Sequence, residues 1–264
     1  HRNIMGTFRT YMIIGGMPQP VLKFIETHDL EKVEESKRGI VDLYRKDIAK
    51  FAVNEGSKVR SIFDKIPSQL AKKEKRFMLS SLGPNARIRE YDNAFFWLDD
   101  AMIVNMCDNV TEPSYGLTMN EDDRRVKCYM GDTGLLITLS LNLDINEDPD
   151  IHRRILFDKI GLNEGMFMEN IVAQSFRAHG RGLFFYSRSA EKAKDRIEID
   201  FLIRKSDRVC PVEVKSSSFA KHASLDKYMS RFEGRVGQPY ILYQNDLMVR
   251  DGIVHLPLYM ALLL

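Results

Sequence analysis

No glycine in this 264-residue chain is followed by lysine, so a Gly-x-x-x-x-Gly-Lys-Ser/Thr phosphate loop is excluded. His-Glu-x-x-His is missing, as is Gly-x-Gly-x-x-Gly after a strand, which removes the usual sequence support for zinc proteolysis and dinucleotide binding. Cysteine is scarce. Cys107, Cys128 and Cys210 are odd in number and far apart, giving neither a disulfide framework nor a Cys-x-x-Cys zinc site, and they point to a reducing cytoplasm. No apolar run approaches the roughly 18 residues needed to cross a bilayer, so no membrane partner is expected. A signal peptide is not evident, and the opening at His1, without an initiator Met, leads us to expect a fragment of a longer chain.

What is present is ordinary globular composition, 44% hydrophobic and 29% charged, with a formal net charge of only +2. The length favours two small domains over one. Val33, Ile40, Val41, Leu43, Tyr44, Ile48 and Phe51 recur at helical spacing between Leu30 and Asn54. Ser57 is placed to cap a next helix with core face Val59, Ile62, Phe63 and Ile66, which Pro67 interrupts or restarts. A third helical stripe, Tyr91, Phe95, Leu98, Met102 and Ile103, is read over Ile88–Met106, with Trp97 in the core. A turn-rich segment and a short strand at Val126–Met130 follow it. Three helices and a hairpin-like strand pair outline a winged helix, a helix-turn-helix variant. The predicted class is therefore α+β or α/β. A helical segment, 1–54, leads into a winged-helix-like domain, 55–152, then a mixed sheet flanked by helices, 153–264, the split falling near residues 150–160, where acidic Asn146–Asp150 gives way to helix.

The second half carries the chemistry. A helix at Glu164–Arg177 precedes strands at Leu183–Ser187, Ile197–Arg204 and Val209–Lys215, a helix at Ala223–Phe232 and a last strand at Pro239–Gln244. Ile197, Ile199, Phe201 and Ile203 alternate with Glu198, Asp200, Leu202 and Arg204. Period-2 geometry sets Glu213 and Lys215 on one face and Val212 and Val214 on the other. If the two strands pair through the short turn between them, Asp200, Glu213 and Lys215 converge. Two carboxylates and a lysine are what metal-dependent phosphodiester cleavage needs. The acids hold a hard cation, Mg²⁺ or Mn²⁺, and the lysine orients the attacking water. An Asp followed about a dozen residues later by Glu-x-Lys in a strand is the PD-(D/E)XK nuclease pattern, here with Ile199-Asp200 in place of Pro-Asp. Glu169 on the preceding helix is the candidate further acid. The competing reading is an ion pair on a solvated sheet face. Arg177–Arg235 holds 14 Lys+Arg against 8 Asp+Glu, a local +6 in a chain of +2, which suits an approaching polyanion, DNA or RNA. Arg87 and Arg89, before the third helix, are candidate phosphate contacts. Lys72–Arg76 reads as a solvated charged loop, and His179 and His222 as surface residues near the site.

The chain resembles the C-terminal half of prokaryotic AAA-type ATPases that end in a domain of unknown function with a PD-(D/E)XK, restriction-endonuclease-like fold. The resemblance rests on Gly15-Gly-Met-Pro18, Tyr44-Arg-Lys-Asp-Ile48, Ile66-Pro-Ser-Gln-Leu70, Arg87-Ile-Arg-Glu-Tyr91 and Trp97-Leu-Asp-Asp-Ala101. It continues through Lys127-Cys-Tyr-Met-Gly-Asp-Thr-Gly-Leu135, Glu169-Asn170, Glu198-Ile-Asp-Phe201 and Glu213-Val-Lys215. It implies an ATPase module in cis that this chain lacks, so ATP belongs to that module alone. It further implies a winged-helix-like linker domain and a nuclease-like domain with its functional positions on Glu169, Asp200, Glu213 and Lys215. Two functions stay open: a Mg²⁺- or Mn²⁺-dependent nuclease-type domain governed by the ATPase, and a non-catalytic DNA- or protein-binding assembly module, including a homo-oligomer.

Overall fold

The computed structural model describes residues 1–52, 54–72, 76–84, 86–141, 164–188, 195–216 and 222–264. The boundary expected near residues 150–160 and the centre of the Lys72–Arg76 cluster lie outside these residues. The chain divides into two compact units. A helical unit gathers Gly6–Met106 with Cys128–Gln174, and a sheet unit gathers His1–Met5, Cys107–Lys127 and Ser175–Leu264.

The helical unit is built from helices Arg2–Ile14, Pro18–Thr27, Leu30–Phe51, Gly56–Leu70, Ile88–Asp100, Thr133–Leu141 and Glu164–Ala178. Pro18 and Pro20 open the second helix, where a missing N–H costs nothing. Asp29 caps the third by accepting from the Glu31 and Lys32 N–H groups. Val33, Val41 and Ile48 of the expected stripe are buried, whereas Leu43 and Phe51 are exposed. The fourth helix begins at Gly56 with Glu55 as its N-cap residue, so Ser57 is not the cap. It also runs through Pro67 to Leu70 instead of breaking, because a proline in a final turn removes one hydrogen bond only. The third stripe is cut short. The helix stops at Asp100, Met102 takes a left-handed φ of 56° and is exposed, and Trp97 is half-buried. Asp99 Oδ1 receives the Met106 N–H at 3.1 Å, and the chain leaves as a strand.

A buried polar knot ties this unit together. Lys37, 1% exposed, donates to the Ile13 carbonyl at 2.9 Å and the Gly134 carbonyl at 3.4 Å and pairs with Glu34 at 2.8 Å. Asp132 accepts from the Gly16 N–H at 2.6 Å and the Leu135 N–H at 2.9 Å, so one carboxylate serves the Gly-Gly turn and the following helix start. Gly134 is obligatory, since a Cβ there would lie 2.6 Å from the Gly15 nitrogen.

Among the described residues nine strands form two mixed sheets: β1 Val104–Val110, β2 Glu121–Met130, β3 Phe184–Arg188, β4 Ile197–Ile199, β5 Phe201–Lys205, β6 Arg208–Val214, β7 Tyr240–Tyr243, β8 Met248–Arg250 and β9 Ile253–Pro257. The protein is thus α+β with helices and two mixed sheets. One sheet has the order β2-β1-β3-β4 and the other β5-β6-β7-β9-β8. The strands expected as the arm of a winged helix, β1 and β2, belong to the four-stranded sheet, where β1 runs parallel to β3. Tyr240–Tyr243 is not the last strand. Two further strands follow it, and after β9 the chain ends in a 3-10 turn at Leu258–Leu263.

Two differences shape the site. The strand expected over Ile197–Arg204 is broken at Asp200: β4 pairs antiparallel with β3, β5 pairs antiparallel with β6, and Asp200 is the bend where the chain changes sheets. Leu202, grouped by parity with the polar set, is buried, as are five consecutive residues of β6 from Val209 to Glu213. Both faces of β6 are covered, so alternation there does not mean exposure. The helix Ala223–Arg231 closes the core with Leu225 and Tyr228 against Tyr186, Ile199, Val209 and Ile241.

Candidate functional site

The β5–β6 hairpin forms as the short turn predicts, with Phe201 opposite Val212 and Lys205 opposite Arg208. One step beyond that register, Asp200 faces Glu213. The Asp200 carboxylate completes the ladder where the backbone no longer can, its Oδ2 accepting the Val214 N–H at 2.9 Å. β6 then runs parallel to β7, and the Lys215 N–H bonds to the Leu242 carbonyl at 2.9 Å. Glu213 and Lys215 therefore stand at the carboxyl end of a strand flanked by one antiparallel and one parallel neighbour. Open mixed sheets place their sites at such topological switch points.

Glu213 is 1% exposed, and Lys215 Nζ lies 2.6 Å from its Oε2. Apart from that ammonium, neither oxygen of Glu213 has a polar partner among the described residues. Burial pushes the Glu213 carboxyl up to about 6. The Lys215 charge opposes the rise and the Asp200 charge adds to it. The same opposition comes from His222, whose Nδ1 is 2.8 Å from Asp226 Oδ1 at the start of the helix Ala223–Arg231.

A residue not singled out as functional from its sequence enters from β2. Lys127 is fully buried, with Nζ 3.6 Å from Asp200 Oδ1, 3.4 Å from Glu198 Oε1 and 5.0 Å from the centre of the Phe185 ring. The centre of the sheet unit is thus Asp200, Glu213, Lys215, Glu198 and Lys127, three acids interleaved with two ammonium groups. Among the described residues no group of three or more His, Cys, Asp or Glu is arranged to hold a metal ion. Glu213 still has oxygen to offer a cation, because a buried carboxylate with one partner leaves acceptor capacity unused.

Glu169 belongs to the helical unit. It is 1% exposed and accepts from the Tyr129 hydroxyl. Its neighbour Asn170 clamps the chain at Met130, accepting the Met130 N–H at 2.8 Å and donating to the Met130 carbonyl at 3.1 Å. Arg87 and Arg89 are exposed at the start of the helix Ile88–Asp100. His179 is exposed, with Nδ1 3.0 Å from the Ser175 carbonyl.

Two mixed sheets and eight α-helices among the described residues, with an acid–lysine centre fed by strands of both sheets, define the class of protein. Residues 5–148, more than half of the chain, match a family described as a domain of unknown function (DUF8612), and the chain belongs to that family. Residues 164–260 match a second domain of unknown function (DUF4143), one found in C-terminal regions associated with AAA ATPases. No curated protein and no solved structure matches the chain. No helix among the described residues is long and apolar enough to cross a membrane.

Proposed function

We propose that this chain is the C-terminal region of an AAA-type ATPase whose sheet unit is a PD-(D/E)XK nuclease-like domain, acting on DNA or RNA with one Mg²⁺ or Mn²⁺ at Asp200 and Glu213. The observation that supports the reading is Glu213, a buried carboxylate whose Oε1 lacks a partner among the described residues, beside Lys215 and close enough to Asp200 to feel its charge. When bound, the cation supplies Lewis acidity toward a phosphodiester and lowers the pKa of an associated water. The chain's own groups do the rest. The Val214 N–H fixes Asp200, burial between two neighbouring strands fixes Glu213, and Lys215 orients the attacking water and offsets charge developing on the phosphate. Arg87 and Arg89, on a winged-helix-like helical unit, are the chain's backbone contacts to nucleic acid.

The test is cleavage of single- and double-stranded DNA and RNA by the chain in Mn²⁺ or Mg²⁺. Metal-dependent cleavage that Glu213→Gln and Lys215→Ala abolish supports the reading. Binding of nucleic acid without cleavage supports the second one, a non-catalytic binding and assembly module. The ion pairs Lys127–Asp200 and Lys215–Glu213 favour that alternative, since they already neutralise the carboxylates.

A further inference from the structure

Lys127 does not belong to the acid–lysine motif. It arrives on β2 from a separate part of the sequence, yet it is the most deeply buried charge at the site, 0% exposed, against 17% for the Asp200 side chain and 23% for Glu198. A buried ammonium is retained only where anions and ring faces repay its desolvation. Here two carboxylates at 3.4 and 3.6 Å and the Phe185 ring at 5.0 Å do so. The two oxygens of Asp200 are divided: Oδ2 is spent on the Val214 N–H and Oδ1 faces Lys127. Glu198, two residues before Asp200 on the edge of the other sheet, shares the same ammonium.

We propose that Lys127 is a resident cation and a positioning residue, occupying the Glu198–Asp200 side of the centre so that the site takes one divalent ion, on the Glu213 side, and not a pair. Two-metal phosphodiesterases hold ions roughly 4 Å apart on shared carboxylates. Here the second such position is filled by a side chain the protein cannot release. The inference rests on the proposed function of the same centre. It assigns Lys127 a role in how many ions bind and how tightly, independent of whether cleavage follows.

The experiment is calorimetric titration of the full chain with Mn²⁺ alone, for the unsubstituted protein, Lys127→Met, Lys127→Arg and Glu198→Gln, each first checked for native near-ultraviolet dichroism. A unit charge removed several ångströms from a cation, at an effective permittivity of about 20, changes affinity roughly ten- to a hundredfold. Lys127→Met, which removes the ammonium from Glu198 and Asp200, is expected to bind Mn²⁺ at least tenfold tighter or to take up a second equivalent. Lys127→Arg keeps the charge and should behave like the unsubstituted chain. Equal affinity and one equivalent in both the unsubstituted chain and Lys127→Met overturn the inference and leave the metal-site reading intact. No Mn²⁺ binding by either overturns both. Should Lys127→Met fail to fold, Glu198→Gln decides. It takes one of the two carboxylates from the ammonium and leaves more of its charge acting on Asp200, so affinity should fall at least threefold, and an unchanged affinity overturns the inference.

Discussion

Replacing Glu213 by Gln removes a buried charge while keeping shape and size, and the account requires this to stabilise the protein at neutral and alkaline pH. The ordinary carboxyl value of 4.5 is raised to about 6 at Glu213, chiefly by burial. At about 1.4 kcal/mol per tenfold change in proton affinity, ionised Glu213 costs the folded state about 2 kcal/mol. Because the folded carboxyl holds its proton more tightly than the unfolded one, the native state is favoured below pH 4.5. That advantage is lost as pH rises through about 6, so the cost is fully present from about pH 7 upward. Glu213→Gln should therefore be more stable than the unsubstituted chain by up to about 2 kcal/mol at pH 8. The difference should shrink to near zero at pH 4. Lys215, with a quarter of its side chain exposed, turns to water when its partner is lost, so it subtracts little. Urea denaturation followed by tryptophan fluorescence and far-ultraviolet dichroism, at half-unit steps from pH 4 to 8, gives the profile. A variant less stable than the unsubstituted chain at pH 8, or a difference independent of pH, would refute the reasoning, because either means that Glu213 is well solvated or well paired when charged.

Two further outcomes concern the helical unit. Lys37→Met takes the ammonium away from the buried Glu34 carboxylate, which keeps the Thr138 hydroxyl and Arg38, and from two carbonyls, and should cost about 3 kcal/mol, read as a lowered urea midpoint. Gly134→Ala drives a Cβ to 2.6 Å from a backbone nitrogen that no rotamer change can relieve, and should cost about 3 kcal/mol by the same measurement.

Much of the local structure was legible because local periodicity and local packing agree. Val33, Val41 and Ile48 mark one face of the helix Leu30–Phe51, and that face is buried. The tight turn between Lys205 and Arg208 forces β5 and β6 to pair, and register alone then sets Asp200 opposite Glu213. What was not legible depends on partners far away in the chain. Nothing near Lys127 says that β2 and β4 are the two edges of one sheet, and only that assembly of distant segments gives the lysine its two acids. The burial of Glu213 was hidden for a related reason. Period 2 separates the two faces of β6, but only the strands and helices stacked on both of them decide that the polar face is dry. The helix ending at Asp100 stopped short of its apolar stripe because the Asp99 carboxylate takes the Met106 N–H, a side-chain bond that competes with continuing the helix.

The central claim is that Asp200 and Glu213 together hold a divalent cation, and direct Mn²⁺ titration of the chain against its Asp200→Asn and Glu213→Gln variants tests it most simply. One equivalent of Mn²⁺ bound by the unsubstituted chain, lost in both variants while their folds persist, is the predicted result. Binding that survives either substitution, or no binding by the unsubstituted chain at millimolar Mn²⁺, would contradict it and leave the acid–lysine centre as an ion-pair network that holds two sheets together.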